Sequence, residues 1–317
     1  MRRVVVSAPS HVHMGNPDLD GSYGRLYGTL GLALETPRVI VEASEGRGCE
    51  CKRGDALEAY SKIVSAYDCS ARVRVVREIP PHVGLGSTTT LFLSIARAVH
   101  EICRPGLPFE AADWAVRLGR STISGLGLYS FLYGGLLFDA GFKPGESRPP
   151  PLLFRAEPPG WMRIIVALPS RPIARIRELK KREDEILSSM PHMNPDMADR
   201  LSRMMLMGIL GNIADGDWKL AGKFITEFNR SLGEYWRGPQ ESVYCCKESE
   251  SLIRFFDSKG AIFVGQSSWG PTVYAAFPED LVGRVVVEAR SLMEDLGGGD
   301  VWITSPASTG ALVRIEW

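Results

Sequence analysis

Apolar positions change spacing from one segment of the chain to the next, and the spacing predicts the elements. "RRVVVSAP" and "RVIVEA" carry the dense β-branched runs of strands, and "CECKRG" reads as a short strand ending in a turn. "DALEAYSKIVSAY" instead puts Leu57, Tyr60, Ile63 and Val64 on one helical face. "ARVRVVREI" alternates strictly, Val73 and Val75 against Arg72 and Arg74, which predicts a half-exposed strand. That strand delivers the chain into "PPHVGLGSTTTLFLSIARAV", residues 80–99. There Leu91, Ile95, Ala98 and Val99 return to helical spacing, so a helix is predicted to begin near Ser87.

Farther along, "FEAADWAVRLG" predicts a helix, "GGLLFDAGF" a strand, and the turn-rich "FKPGESRPPP" a boundary. "WMRIIVALP" reads as a strand and "IRELKKREDEIL" as a charged helix with a solvated face. Residues 196–236 form two long helices broken near Asp215 to Asp217, with the "MMLM" run at Met204 to Met207 expected in the core. A helix over 241–258, strands "GAIFVG" and "TVYAAF", a helix over 281–296, and strands "VWITSP" and "ALVRIEW" complete the chain. Strands and helices in this mixed order predict an α+β fold in two layers, divided into residues 1–150 and 151–317.

A length of 317 residues exceeds one average domain. Hydrophobic residues at 44% and charged residues at 23% fit a globular chain with a sizeable core. Lys+Arg and Asp+Glu balance at 37 each, which gives nucleic acid or an anionic membrane no electrostatic handle as a main partner. No apolar run approaches the roughly 18 residues of a membrane span, and "MRRVVVSAPS" is too short for a secretory signal. A cytoplasmic protein is therefore expected. Cys49, Cys51, Cys69, Cys103, Cys245 and Cys246 contain no CxxC pair, so zinc is disfavoured and buried or free thiols are expected, with pairing left open.

The mouth of the helix at Ser87 carries the clearest chemistry. Gly84 and Gly86 permit close approach, the first-turn amides of a helix lack internal partners, and Ser87, Thr88 and Thr89 add hydroxyls. That set suits a phosphate, with Leu85 between the glycines as part of the loop. An ordinary capped turn accounts for the same residues equally well. A Walker A loop is excluded because no Lys follows Gly86, and a Rossmann fingerprint because Thr89 stands where its third glycine belongs.

Three other segments collect polar residues around glycine. In "SHVHMGNPDLDGSYGRLYGTLGLAL", His11 and His13 share a side of a strand, Asp18 and Asp20 fit either Mg²⁺ or a turn, and Arg25 fits an anion or the surface. "GRSTISGLG" offers Arg120, Ser124 and Gly125 at another helix entrance, and "GQSSWGPTVYAAF" offers Ser267 and Ser268 in a hairpin. His82 reads most simply as an exposed loop residue.

The Pro-x-x-x-Gly-Leu-Gly-Ser run ending at Ser87, with "GQSSWGPTV" downstream, resembles the GHMP kinase superfamily. Within it, His13, Arg25, "GRSTISGLG" and "GGLLFDAG" make the chain most similar to the archaeal β-ribofuranosylaminobenzene 5'-phosphate synthase family. The resemblance implies an N-terminal α/β domain with a left-handed crossover and a C-terminal ferredoxin-like domain. It also implies a transferase that joins 4-aminobenzoate to phosphoribosyl pyrophosphate (PRPP) with loss of CO₂ and pyrophosphate, in methanopterin synthesis. Mg²⁺ is the implied cofactor, and Asp18 or Asp20 is the carboxylate expected to hold it, through water. Arg25, Ser87 and Arg120 are expected to be catalytic, Gly84 to Thr89 to hold phosphate, and His13, Ser124, Gly125, Ser267 and Ser268 to meet substrate.

The chain departs from the family pattern at several positions. His11 stands for Arg, Tyr27 for Asp, Thr88 for Gly, Ser121 and Thr122 for glycines, Ile123 for Thr, and Phe142 for His. An ATP-dependent kinase of a small alcohol and a non-catalytic phosphate-binding paralogue therefore stay open. Partners are expected to be small molecules, and a homodimer is compatible with the reading.

Overall fold

The computed structural model describes residues 2–240 and 242–316. In chain order its strands are β1 (Arg3–Gly15), β2 (Leu30–Glu45), β3 (Gly48–Glu50), β4 (Ala71–Arg77), β5 (Leu136–Asp139) and β6 (Leu152–Ala156). The rest are β7 (Met162–Pro169), β8 (Phe263–Gln266), β9 (Val273–Pro278), β10 (Gly299–Thr304) and β11 (Leu312–Glu316). One sheet runs β11–β1–β2–β4–β3, with β5 added to β2 and β6 to β5. The other runs β10–β7–β9–β8, all antiparallel, which is the strand order of a ferredoxin-like domain. The α+β expectation holds.

Residue 150 does not separate these sheets. β6 pairs with β5, and the chain changes sheet between Ala156 and Met162. β11 then returns to pair with β1, Arg3 opposite Glu316. The first sheet thus takes its last strand from the far end of the chain. Among the described residues the one parallel pairing, β3 with β4, crosses over through the helix Gly54–Tyr67.

Burial along β1 locates the functional region. Its first half alternates, as expected for a strand with one covered face, but from Ala8 to Val12 every residue is buried. There β1 passes between the helices Ser87–Cys103, Leu126–Tyr133 and Trp218–Tyr235, which pack on it. The helix Ser87–Cys103 supplies Leu91, Leu93, Ile95, Ala98 and Val99 to this core, each fully buried. Burying five such side chains is worth roughly 1.5–3 kcal/mol apiece for the larger ones, which anchors the helix start below them.

Local expectations shift in places. The covered face of helix Gly54–Tyr67 is Ala56, Ala59, Tyr60 and Ile63, whereas Leu57 is exposed. The methionine run divides: Met205 is buried, but Met207 points to solvent where the helix widens to π geometry over Met204–Leu210. The predicted charged helix is two, Ile173–Lys181 and Glu183–Ser189. The helix expected over 241–258 runs Lys247–Ser258; residues 241 and 317, at the ends of two predicted elements, lie outside the described residues. Four cysteines are paired, Cys49 with Cys51 and Cys69 with Cys103, which corrects the expectation of free thiols. Among the described residues no helix is long and apolar enough to cross a membrane.

Candidate active site

The helix at Ser87 begins from a backbone that an L side chain rarely adopts. Its N-cap Gly86 has φ +71°, and Gly84 has φ +90°. A Cβ on Gly86 would fall 2.0 Å from the His11 ring, and one on Gly84 2.6 Å from the Ser267 carbonyl oxygen. Glycine is thus required twice, for backbone angle and for contact. The hairpin between β8 and β9 holds the loop from outside. Ser267 Oγ donates to the Gly84 carbonyl at 2.5 Å and accepts from His13 N–H at 2.9 Å, and Thr272 Oγ1 donates to the Val83 carbonyl at 2.6 Å.

Two of these bonds engage loop carbonyls, those of Val83 and Gly84. Among the described residues, the N–H groups of Gly84, Leu85, Gly86, Ser87 and Thr88 donate no hydrogen bond to protein; donation resumes at Thr90, to the Gly86 carbonyl. The loop faces an open cavity of about 1270 Å³. Unpartnered amides at a helix N-terminus, with the dipole's positive end behind them, form an anion site.

Side chains reinforce this. Arg120 lines the cavity and donates from Nε to Thr89 Oγ1 at 3.1 Å. Arg53, which the sequence reading passed over, donates to Thr88 Oγ1 at 3.1 Å while paired with Asp55, itself on the cavity wall. Ser87, Ser124 and Ser268 also line it, with Ser268 N–H donating to the His13 carbonyl at 3.1 Å. Buried polar atoms lacking partners among the described residues gather here too: His11 Nδ1 and Ser121 Oγ. Burial, then the neighbouring His13, pushes the His11 imidazole down to about 3, so it is neutral near pH 7.

A second wall comes from the helix Ile173–Lys181. Ile176 and Leu179 pack against Trp269 and Cys245, which turns Ala174, Arg177, Glu178 and Lys181 toward the cavity at helical spacing. Arg175 lines it as well, while donating to the carbonyls of Cys245 and Gln240 at 3.1 Å each. The lining therefore holds Arg120, Arg175, Arg177 and Lys181 against Asp55 and Glu178. A chain of zero net charge has concentrated positive charge around the cavity that the loop lines. An aromatic corner adjoins this wall, with Trp236 and Trp269 at 4.9 Å between ring centroids, and Tyr244 lines the cavity too.

Five expected residues lie elsewhere. Arg25 donates to the carbonyls of Ala140 and Gly141 at 3.0 and 3.3 Å and does not line the cavity. Asp18 Oδ1 accepts from the N–H groups of Asp20 and Gly21, and Asp20 from Ser22, so both carboxylates serve a turn. No group of three His, Cys, Asp or Glu suited to a metal exists among the described residues. Gly125 and Ser267 stand behind the wall. Gly125 N–H donates to Asp139 Oδ2 at 2.8 Å, and Ser267 braces the loop as described. The buried Asp139 also accepts from Thr29 and Gly141 N–H groups; burial raises its pKa to about 6 despite those bonds.

Two departures from the family pattern meet in the fold. Tyr27 and Phe142 stack at 5.6 Å and 26°, and Leu26 and Phe142 exchange backbone hydrogen bonds at 3.0 Å. Where the family pattern has an acid and a histidine, this chain has a pair of rings in contact, with Tyr27 on the cavity wall.

Comparison with known proteins agrees with this architecture. GHMP kinases N terminal domain matches residues 54–135, and GHMP kinases C terminal matches 209–295. Beta-ribofuranosylphenol 5'-phosphate synthase of Methanothermobacter thermautotrophicus is 30% identical over 98% of both chains. Its namesake from Archaeoglobus fulgidus is 29% identical over 84% of this chain and 85% of its own. The Methanocaldococcus jannaschii protein of that name is 25% identical over 97% and 99%. Among solved structures, homoserine kinase from Cytophaga hutchinsonii superposes with TM-score 0.68 at 13% identity, over 98% of this chain and 97% of its own. Mevalonate diphosphate decarboxylase from Staphylococcus aureus does so at 0.64 and 15%, over 99% and 98%. The glycine loop, the bracing hairpin and the ferredoxin-like second sheet thus have their explanation in descent: the chain belongs to the GHMP kinase superfamily, within the family of these archaeal synthases.

Proposed function

We propose that the cavity joins the phosphoribosyl group of PRPP to an aromatic acid, with release of pyrophosphate and CO₂. The observation that carries this reading is the row of unpartnered amides from Gly84 to Thr88 beside Arg120. The bond from ribose C1 to pyrophosphate breaks, a bond from C1 to the ring forms, and the ring's carboxylate leaves as CO₂. Negative charge grows on the departing pyrophosphate, and donors already fixed in place stabilise it without reorganising. The loop amides and Arg120 supply those donors. Neutral His11 adds a nitrogen without adding a positive charge that would oppose the cation developing at C1.

The apolar corner of Trp236 and Trp269 suits the acceptor ring, and Arg177 or Lys181 its carboxylate. The relatives are named for a phenol where the sequence resemblance implied an aminobenzene, so 4-hydroxybenzoate is the preferred acceptor and 4-aminobenzoate the competitor. The donor set fits a magnesium ion carried in on the polyphosphate rather than caged by protein, with the Ser87 hydroxyl and Asp55 as the groups that would hold it. When bound, that ion would neutralise pyrophosphate charge.

Thermal-shift titration followed by pyrophosphate-release assay tests the reading. Stabilisation by PRPP with Mg²⁺, and pyrophosphate release only when an aromatic acid is added, is the expected result. Stabilisation by ATP instead, with phosphate transfer to a small alcohol, overturns it in favour of a kinase. Ligand stabilisation without turnover on either panel overturns it in favour of a binding protein.

A further inference from the structure

Four of the six cysteines are joined in pairs; Cys245 and Cys246 remain as adjacent free thiols. Their sulfurs are 3.0 Å apart, and the Ser249 hydroxyl lies 3.3 Å from the first and 3.2 Å from the second. Cys245 is buried and Cys246 half-buried. Gly270, in the hairpin that braces the phosphate loop, admits the Cys245 sulfur; a Cβ there would come within 2.6 Å of it. The Cys245 backbone is gripped from both sides. Its N–H donates to Gln266 Oε1 at 2.7 Å, and its carbonyl accepts from Arg175 at 3.1 Å. Gln266 Nε2 in turn donates to the Ser268 carbonyl at 3.0 Å.

We propose that Cys245 and Cys246 form a dithiol modification site, oxidised by exchange with a low-molecular-weight disulfide and linked through residues 266–272 to the phosphate loop. Cys246 is the more accessible thiol. The hydrogen bond between the two lowers its pKa and raises that of Cys245, so Cys246 attacks first. One sulfur of the reagent bonds to Cys246 Sγ, and the other leaves as a thiolate that takes the Cys245 proton. Cys245 Sγ then attacks Cys246 Sγ, closing the protein disulfide and expelling the second small thiol. Two protein thiols are oxidised and one small disulfide is reduced to two thiols.

Neighbouring α-carbons are only about 3.8 Å apart, below the roughly 4.4–6.8 Å of relaxed disulfides. Cys69 and Cys103, at 5.9 Å, fall within that range. The adjacent pair therefore closes into a strained ring that is readily reduced again, whereas the separated pair persists. Closure turns the peptide between the two cysteines, so its carbonyl gives up the Arg175 bond, and draws the Cys245 sulfur away from Gly270 of the bracing hairpin. Arg175 lines the cavity.

The full-length protein, incubated with oxidised glutathione, is examined by peptide mass mapping and by titration with Mg-pyrophosphate. The wild-type peptide holding both cysteines is expected to lose two hydrogens and retain no glutathione. Cys245→Ser should stop at a single stable glutathione adduct. Wild-type pyrophosphate affinity should fall several-fold and return with excess reduced glutathione, while Cys246→Ser keeps its affinity throughout. Retained glutathione on the wild type, or thiols that survive the reagent, overturns the site. Ring closure with unchanged pyrophosphate affinity overturns its link to the loop. The mass readout does not depend on the synthase reading, so failure of one is distinguishable from failure of the other.

Discussion

Residues 16–28 and residues 82–90 look alike on paper, since both are rich in glycine and polar side chains and each leads into a buried element. In the first segment almost every polar group is answered locally. Asp18 and Asp20 accept from turn amides, Arg25 from the same stretch donates to Ala140 and Gly141, and Asn16 donates to Gly28 and Thr29 at 3.1 Å. In the second, the Val83 and Gly84 carbonyls are answered by the β8–β9 hairpin and the amides of Gly84 to Thr88 are not. Composition does not separate a self-satisfied turn from a ligand cradle; the destination of each backbone N–H does.

The largest contrast is expected between the two arginines. Arg120→Ala removes a donor from the cavity and should lower kcat/KM by about 10²–10³-fold, as for a lost oxyanion donor, with little change in melting temperature. Arg25→Ala removes charged hydrogen bonds to backbone and should cost roughly 1.5–3 kcal/mol of stability while kcat/KM of the folded fraction stays near wild type. Steady-state kinetics with denaturant melts on both variants checks this; an activity loss at Arg25 matching that at Arg120 would return Arg25 to the site. Next in size is Ser87→Ala combined with Thr88→Ala, expected to weaken pyrophosphate binding by on the order of 1–3 kcal/mol with the fold intact. Calorimetry reads it, and unchanged affinity would leave the hydroxyls as ordinary capping groups.

His11 and Asp139 sharpen the comparison through pH. The buried imidazole titrates near 3 rather than 6.5, so between those values the unfolded chain binds the extra proton and stability rises with pH. Asp139 titrates near 6 rather than 3.8, so over that interval the folded chain binds it and stability falls as pH rises. Each slope is about 1.4 kcal/mol per pH unit, and the two offset one another between about pH 4 and 6. Asp139→Asn should expose a stability that drops steadily on acidification, and His11→Gln the opposite trend. Urea midpoints across that interval decide, and profiles indistinguishable from wild type would refute both assignments. The smallest effect is expected for Asp18→Ala and Asp20→Ala, each costing roughly 0.5–1.5 kcal/mol as a lost turn bond with no change in the Mg²⁺ dependence of activity. A shifted metal requirement would restore them as ligands.

Much of this was legible in the sequence. The loop from Gly84 to Thr89, Arg120 and the order of elements follow from spacing and from local chemistry, which a sequence carries directly. Arg177 and Lys181 were not legible, because "IRELKKREDEIL" reads as a solvated helix until one knows what Ile176 and Leu179 pack against. Trp236 and Trp269 meet across more than thirty residues, a contact that only the tertiary fold creates. Asp139 left a faint signal, a carboxylate closing an apolar strand beside Gly141, and its three amide partners come from different segments. Tyr27 and Phe142 looked like two separate losses of polarity; the fold stacks them against each other.

The most direct measurement is a backbone amide NMR titration of the protein with Mg-pyrophosphate. The account predicts that the resonances of Gly84 to Thr88 move together and saturate, while those of Asp18 to Gly28 stay in place. Movement confined to the Asp18 to Gly28 amides, with Gly84 to Thr88 unchanged at saturating ligand, would contradict it.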